Sequence, residues 1–358
     1  MTSETGMTSD AGTSSDAGIT SDTGTAGGPA AAPVPCRPSL SVVICAYTVD
    51  RWDDLRAAIR SVRAQRPPAD EIVLVVDHCP ELLFRARETI DGVRIVGNQE
   101  HQGLSGARNT GLAVSHGDVI AFLDDDAEAC PDWTARLLDG YRDQRVLGVG
   151  GLVRANWEAG RPRWFPREFD WVVGCSYRGL PEHRSPVRNF IGANMSFRRS
   201  ELLAVGGFRT DLGRIGSRPL GGEETELCLR VSARTPDAVL LYEPGAAVRH
   251  HVPARRATWT YFRARCYAEG LSKAVVARYA GAGPALASER GYLRSAIPRA
   301  FVHGLRPGGD ASPRTTAALV TGVGSAVLGY AVGRLRVLWS ALASRARLLV
   351  GPSAGGPP

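Results

Sequence analysis

Residues 103–133 read GLSGARNTGLAVSHGDVIAFLDDDAEACPDW. The first half has helical spacing and ends before a His-Gly-Asp turn. DVIAFLD is a short apolar run of the kind that forms a buried strand. Three carboxylates follow at once, Asp124, Asp125 and Asp126, where a chain normally turns. In an extended segment, residues at i and i+2 point the same way. Asp124 and Asp126 are therefore expected to face one site, with Asp125 turned aside. Carboxylate oxygens are the ligands that Mg²⁺ and Mn²⁺ take, in company with substrate phosphates. A solvated acidic turn is the plain alternative, and the apolar VIAFL feeding straight into the cluster favours the site.

Working outward, strand and helix patterns alternate. SLSVVICAY, EIVLVVD and VRIVGN upstream read as buried strands, and RWDDLRAAIRSVRAQ as a helix stopping before Pro67-Pro68. PDWTARLLDGYRD is a helix with Pro131 near its first turn. This order predicts an α/β fold, a mostly parallel sheet with helices on both faces. Ligands of such sheets bind beyond the carboxyl ends of the strands. Asp77 and the three aspartates fall at those ends. Past residue 150 the pattern loosens. RNFIGANMSFRR reads as a strand and then a helix, GGEETELCLRVSAR as a glycine pair opening a helix, AVLLYEPGAAVRHHVP as two short strands, and TWTYFRARCYAEGLSKAVVARYA as a long amphipathic helix.

Both chain ends differ from this body. Residues 1–38 begin with near-repeats of six (MTSETG, MTSDAG) and continue as an Ala/Pro/Gly stretch, too polar to bury a core, so a disordered tail is expected. A folded domain over 39–280, a helical extension over 281–350 and a short disordered end over 351–358 complete the expected organisation. The net charge of +7 is uneven: 16 basic residues stand against three acids between Arg249 and Val350. Such an excess suits an anionic partner, a membrane surface or a nucleic acid. Thr315–Gly333 is uncharged and bracketed by Arg314 and Arg334. Its length, about 28 Å as a helix, approaches a hydrocarbon core of about 30 Å. The seven cysteines are scattered singly, with no CxxC pair, and the start has no basic and apolar leader. Both features point to a reducing, cytoplasmic setting.

Three further constellations carry chemistry. In NQEHQGLSGARNTGLA, glycines enter a helix whose first turns hold Arg108 and Asn109, a natural place for phosphate oxygens. In GGEETE, Glu223, Glu224 and Glu226 crowd a helix start; acids favour that end through the macrodipole alone, or one of them is a general base. By helical spacing, 223 and 226 share a face and 224 points elsewhere. In VRHHVP, adjacent histidines on a strand point oppositely, so at most one of His250 and His251 can complete a metal shell.

SVVICAY, VVD, GLSGARNTGLAVSHGDVIAFLDDDAEACPDW, FIGANMSFRRSELLAVGGF and GGEETELCLR occur in this order. As an ordered set over residues 40 to about 270 they resemble the family 2 glycosyltransferases. The resemblance implies the GT-A fold, a nucleotide-sugar donor, a DxD-type site for Mn²⁺ or Mg²⁺, and inversion at the anomeric carbon by direct displacement. Carried over residue by residue, it implies nucleotide-sugar contacts from Ala46, Tyr47, Asp77, Arg108, Asn109, Asp124 and Asp125. Asn194 would lie on the sugar and acceptor side. Asp124 and Asp126 would be metal ligands, Asp126 the more direct, with His250 or His251 as the late ligand. Where the family commonly shows Glu-Asp, this chain has Glu223-Glu224, so the catalytic base would be a glutamate, Glu224, with Glu223 its neighbour. The acceptor would be a glycan or lipid-linked hydroxyl at the inner face of the cell membrane. A sugar nucleotidyltransferase would show a Gly-rich basic signature near the first strand, and CAYTVDRW has none. A receiver domain needs a lysine ending a late strand, and the only lysine, Lys273, sits in a helical pattern. No nucleic-acid partner is expected, although the Arg-rich end would suit one.

Overall fold

The computed structural model describes residues 37–213, 221–235, 237–304 and 313–350. The expected tail, apart from Arg37 and Pro38, and the short C-terminal end lie outside these residues.

Among the described residues, nine strands form one sheet: β1 (Leu40–Ala46), β2 (Glu71–Val76), β3 (Arg94–Gly97), β4 (Val119–Asp124), β5 (Ala127–Ala129), β6 (Val146–Trp157), β7 (Ser185–Pro186), β8 (Asn194–Arg198) and β9 (Val239–Val252). Their spatial order is β3-β2-β1-β4-β8-β6-β9-β5, with β7 on β9. The half formed by β3-β2-β1-β4 is wholly parallel, as the alternating pattern predicts. Beyond β4 the sheet becomes mixed: β8 runs antiparallel to β4 and β6, β6 runs parallel to β9, and β5 and β7 run antiparallel to β9. After residue 150 the chain from β6 to β8 runs through loops and a short 3-10 turn, and helices return only between β8 and β9, at Arg199–Ala204 and Glu223–Arg234, so the alternation weakens.

AVLLYEPGAAVRHHVP is one bulged strand rather than two. Its pairing with β6 jumps from Gly151↔Glu243 to Val153↔Val248, so the extra residues around Pro244-Gly245 bulge out and the strand continues. That continuation carries the two histidines. The short β5 pairs antiparallel with β9, setting Ala127 opposite His250. A hairpin-like return thereby brings a residue 124 positions downstream of Asp126 back beside it.

The helix Trp259–Ala280 is not amphipathic in the simple sense expected. Its buried residues, among them Phe262, Ala268, Gly270, Ala274 and Ala277, are spread around the axis. The cause is a second cover, the helix Pro313–Val350, which lies along it at close range. A Cβ on Gly270 would meet the Ala326 carbonyl at 2.1 Å, and one on Gly329 would meet the Tyr267 carbonyl at 2.0 Å. Only glycine lets the two backbones approach this far. The opposite side of the same helix shows Val320, Val327, Leu328, Leu335, Leu338 and Trp339 to solvent. Pro313–Trp339 is long and apolar enough to cross a membrane by length and composition.

Candidate active site

A cavity of about 800 Å³ opens beyond the carboxyl ends of β1 and β4. Its walls come from the β4 end, the helix start at Glu223, the β9 end and the helix Trp259–Ala280, and it holds both acidic clusters.

Asp124 ends β4 and stays partly exposed, with Arg108 at 3.4 Å. Asp126 is buried, and its carboxylate meets His250 Nε2 at 3.1 Å, Arg51 at 3.1 Å and Arg256 at 3.7 Å. Burial opposes its charge, yet His250 and the two guanidiniums hold its pKa far below the usual carboxylate range. Asp125 is not simply turned aside: it also reaches Arg51, at 2.8 Å. Burial is the first reason its pKa rises, to about 7, with the neighbouring aspartates adding to it and Arg51 opposing. Its Oδ2 has no partner among the described residues.

Asp124, Asp126 and His250 offer three ligand atoms within 4.8 Å of one another. Two carboxylates and an imidazole form a set suited to Mn²⁺ or another divalent cation. Burial alone would lower the His250 pKa; the Asp126 carboxylate overrides this and raises it well above the ordinary histidine value. The proton on Nε2 thus occupies the direction in which a metal would bond. On the other ring nitrogen, Nδ1, the neighbour is Cys175 Sγ at 3.7 Å. The donor set fits a metal provided that proton leaves.

His251 goes the other way. Strand alternation sends its ring to Asp54 on the helix Trp52–Arg63, Nδ1 to Oδ1 at 2.9 Å. Of the two histidines expected as alternatives, only His250 reaches the aspartates.

The second acidic cluster starts the helix Glu223–Arg234. Its N-cap, Gly222, has φ +93°, and a Cβ there would also press on Val276. This turn aims both Glu223 and Glu224 into the cavity. Glu223 is buried and gripped by Arg108 at 3.0 Å, while its Oε2 has no partner among the described residues. Among the described residues, no cation forms an ion pair with Glu224. Burial, then Glu223 and Glu269, push its pKa up to about 8. Glu226 does not share the site with Glu223; it binds Arg209 and Arg230.

Several expected residues are held by hydrogen bonds or packing within the scaffold. Asn194 is fully buried: it accepts from Trp133 Nε1 at 2.9 Å and donates to the Ala246 and Leu152 carbonyls. Gly192 and Ala193 line the cavity in its place. Asn109 exchanges two hydrogen bonds with the backbone of Phe208, at 2.9 and 2.8 Å, pinning the loop after residue 205. Successive helical residues point about 100° apart, so Arg108 faces the site and Asn109 does not. Asp77 is buried and accepts from Asn98 Nδ2 and the Gly103 backbone N–H, which shapes the turn into the helix Leu104–Val114. Ala46, whose carbonyl accepts from the Asp77 N–H, and exposed Tyr47 close the end of β1. Tyr47 lies beneath the Arg51 guanidinium.

Sequence reading missed Arg51, Arg256 and Cys175, which surround Asp126 and His250. It also missed an ionic group deeper in the cavity: Arg188, Arg265, Glu269, Lys273 and Glu289. Arg265, Glu269 and Lys273 follow the i, i+4 spacing of one helix, which solvated faces share, so the more particular signal was that Lys273 is the single lysine among 43 basic residues.

Residues 41–204 match the profile described as Glycosyl transferase family 2. The chain is 38% identical over 241 residues to the glucosyl-dolichyl phosphate glucuronosyltransferase of Haloferax volcanii, covering 66% of this chain and 77% of that protein. It is 29% identical over 242 residues to the succinoglycan biosynthesis protein ExoM of Rhizobium meliloti, covering 64% and 72%. Among solved structures, a mannosyltransferase from Pyrobaculum calidifontis in complex with GDP-Man and Mn²⁺ aligns with a TM-score of 0.53 at 17% identity, over 84% of this chain and 88% of that one. At that identity the likeness speaks for the fold: the mixed sheet with flanking helices is the GT-A arrangement.

Proposed function

This chain belongs to the family 2 glycosyltransferases, and we propose that it moves a sugar, with inversion, from a nucleoside-diphosphate donor to a hydroxyl of a glycan or lipid-linked acceptor in cell-envelope or polysaccharide synthesis. The observation that carries this reading is one cavity holding a metal-type trio, Asp124, Asp126 and His250, together with a glutamate, Glu224, that has no ion-pair partner among the described residues. Two relatives, a glucosyl-dolichyl phosphate glucuronosyltransferase and a succinoglycan biosynthesis protein, support the acceptor class.

Mn²⁺ or Mg²⁺ held by Asp124, Asp126 and His250 would offset the charge that develops on the diphosphate leaving group. The protein's own groups do the rest. Arg51 and Arg108 flank the trio and attract phosphate oxygens. Ala46, Tyr47 and Asp77, at the ends of β1 and β2, border the nucleotide. Glu223, fixed by Arg108, sets the position of the helix start. Glu224 takes the proton from the acceptor hydroxyl as it attacks the anomeric carbon from the face opposite the leaving group. A pKa near 8 gives its carboxylate more basicity than an ordinary glutamate has.

The exposed apolar stripe on Pro313–Val350, with Arg334 and Arg336 beside Trp339, supports shallow binding to the cytoplasmic face of a membrane. Anionic vesicles should retain the full chain at low salt and release a form truncated after Pro307; equal behaviour of the two would remove the membrane from the proposal. The reaction itself is tested by screening UDP-, GDP- and dTDP-sugars for slow metal-dependent hydrolysis by the purified protein. At least one donor should turn over with Mn²⁺ or Mg²⁺ and stop in EDTA; no turnover of any, or undiminished turnover in EDTA, overturns the reading.

A further inference from the structure

Deep in the cavity, one carboxylate sits in a complete anion-binding arrangement. Glu289, in the first turn of the helix Ala287–Gly304, receives both arms of Arg188: Nη1 to Oε2 at 2.7 Å and Nη2 to Oε1 at 2.9 Å. Lys273 Nζ approaches the same Oε1 at 2.8 Å. A bidentate guanidinium plus an ammonium is the geometry that recognises a carboxylate or phosphate on a ligand. Behind it, Glu269 takes Arg265 at 3.0 Å and Lys273 at 3.4 Å.

Three features set this cluster apart from an ordinary structural ion pair. It lines the same cavity as Asp124, Asp126, His250 and Glu224. Among the described residues, three cations, Arg188, Arg265 and Lys273, are paired with the carboxylates Glu269 and Glu289, so moving one carboxylate aside leaves cationic partners for an added anion. Buried ion pairs are also an expensive way to hold two helices together, since apolar packing of the same volume does as well or better. Moreover, a chain that uses arginine almost everywhere keeps its single lysine here. A compact ammonium fits between Glu269 and Glu289, where a planar guanidinium would need more room.

We propose that Arg188 and Lys273 form an anion subsite of the cleft, which Glu289 fills with its own carboxylate in the resting enzyme and yields to an acidic group of the sugar substrate. The exchange asks little of the backbone. Tyr292 anchors the helix through a 2.7 Å hydrogen bond to the Glu168 carbonyl, and Glu289 vacates by rotating about its side-chain bonds. The arriving anion takes over the Arg188 fork, and no bond is made or broken. The acidic group is either a carboxylate on the transferred sugar or a phosphate on the acceptor. Which substrate supplies it rests on the glycosyltransferase reading above; the anion subsite itself does not.

The test titrates full-length wild type, Glu289→Gln and Glu289→Gln/Lys273→Met with three probes: UDP-glucose, UDP-glucuronate and inorganic phosphate, the first two with Mn²⁺. Glu289→Gln should bind an acidic probe more tightly than wild type by about tenfold, the scale of one charge-assisted hydrogen bond. The gain should vanish when Lys273 is also replaced, and UDP-glucose should bind all three proteins alike. A gain confined to UDP-glucuronate assigns the subsite to the donor sugar, and a gain for phosphate assigns it to the acceptor. If neither acidic probe tightens in Glu289→Gln, while melting shows that the variant is folded, the proposal is overturned. Failure of both nucleotide sugars to bind wild type would exclude UDP as the donor nucleotide and leave the glycosyltransferase reading to the wider donor screen, and the phosphate titration would still decide the subsite.

Discussion

The two acidic clusters of the cleft begin from the same chemistry and end with different charges. At the end of β4, Asp126 is ringed by His250, Arg51 and Arg256 and stays ionised. At the start of the helix Glu223–Arg234, one cation, Arg108, serves Glu223, and Glu224 is left to hold a proton up to about pH 8. Neighbouring carboxylates in a dry site cannot both ionise without partners. The first cluster solves this with compensating cations, one of them a removable proton on His250. The second solves it by leaving one member neutral. A site that keeps its charge is suited to hold a metal, and a site that keeps its proton is suited to exchange one.

Replacing the best-compensated carboxylate should give the largest effect. Asp126→Ala removes a metal ligand and leaves Arg51, Arg256 and His250 without their common anion. Transfer should fall by about a thousandfold or more, with Mn²⁺ binding lost in calorimetry. Asp125→Asn, beside it, should keep metal binding within about tenfold, because Asp125 lies outside the ligand trio. Equal losses in the two variants would mean that the trio is wrongly drawn.

Glu224→Gln should come next. Without its proton acceptor, transfer should drop by roughly a hundredfold to ten-thousandfold while donor affinity stays near wild type. Glu223→Gln should do the reverse, weakening donor binding through the loosened Arg108 while sparing the chemical step. If Glu223→Gln is dead in transfer and Glu224→Gln is active, the roles within the pair are exchanged.

How much of this was legible follows the same divide. The β4 cluster is spelled out locally, since an apolar strand, three aspartates and the preceding helix are contiguous in sequence. The parallel half of the sheet followed from the same alternation. His250 was nameable but could not be chosen over His251, because the choice depends on the bulge at Pro244-Gly245 and on the pairing of Ala127 with His250. Asn194 and Asn109 read as ligand contacts because a polar residue in a motif looks the same whether it faces a sugar or a buried carbonyl. Their hydrogen bonds to Ala246 and Phe208 are set by tertiary structure alone. The Arg188, Lys273 and Glu289 group was invisible for the same reason: its members lie 85 and 16 residues apart and meet only through the fold.

Acidity offers a finer test of the comparison. Metal binding must expel the His250 proton, so below that group's raised pKa the Mn²⁺ affinity should climb about tenfold per pH unit. At saturating metal, transfer should rise with pH through about 8 as Glu224 ionises. Metal affinity that ignores pH would mean that the proton does not stand in the metal's direction.

The smallest expected effect is on stability. Glu224 is a carboxylate whose folded pKa is raised, so the unfolded chain releases its proton first as pH increases. Its stabilising contribution is whole below the unfolded value near 4.5 and is lost as pH rises toward about 8. Glutamine carries no charge to desolvate and escapes this loss. Because the side chain is only half-buried, solvent limits the difference to about 1 kcal/mol, or about 2 °C in melting temperature for a chain of this size. Glu224→Gln should therefore melt above wild type at pH 8 and match it at pH 4. Asp126→Ala should melt below wild type at pH 8, since it strands three cations. Opposite signs from two carboxylates in one cavity are what separates a charge the fold has compensated from one it has left open. If both variants move the same way, the neutral state of Glu224 is not built into the fold, and proton transfer from the acceptor needs another base.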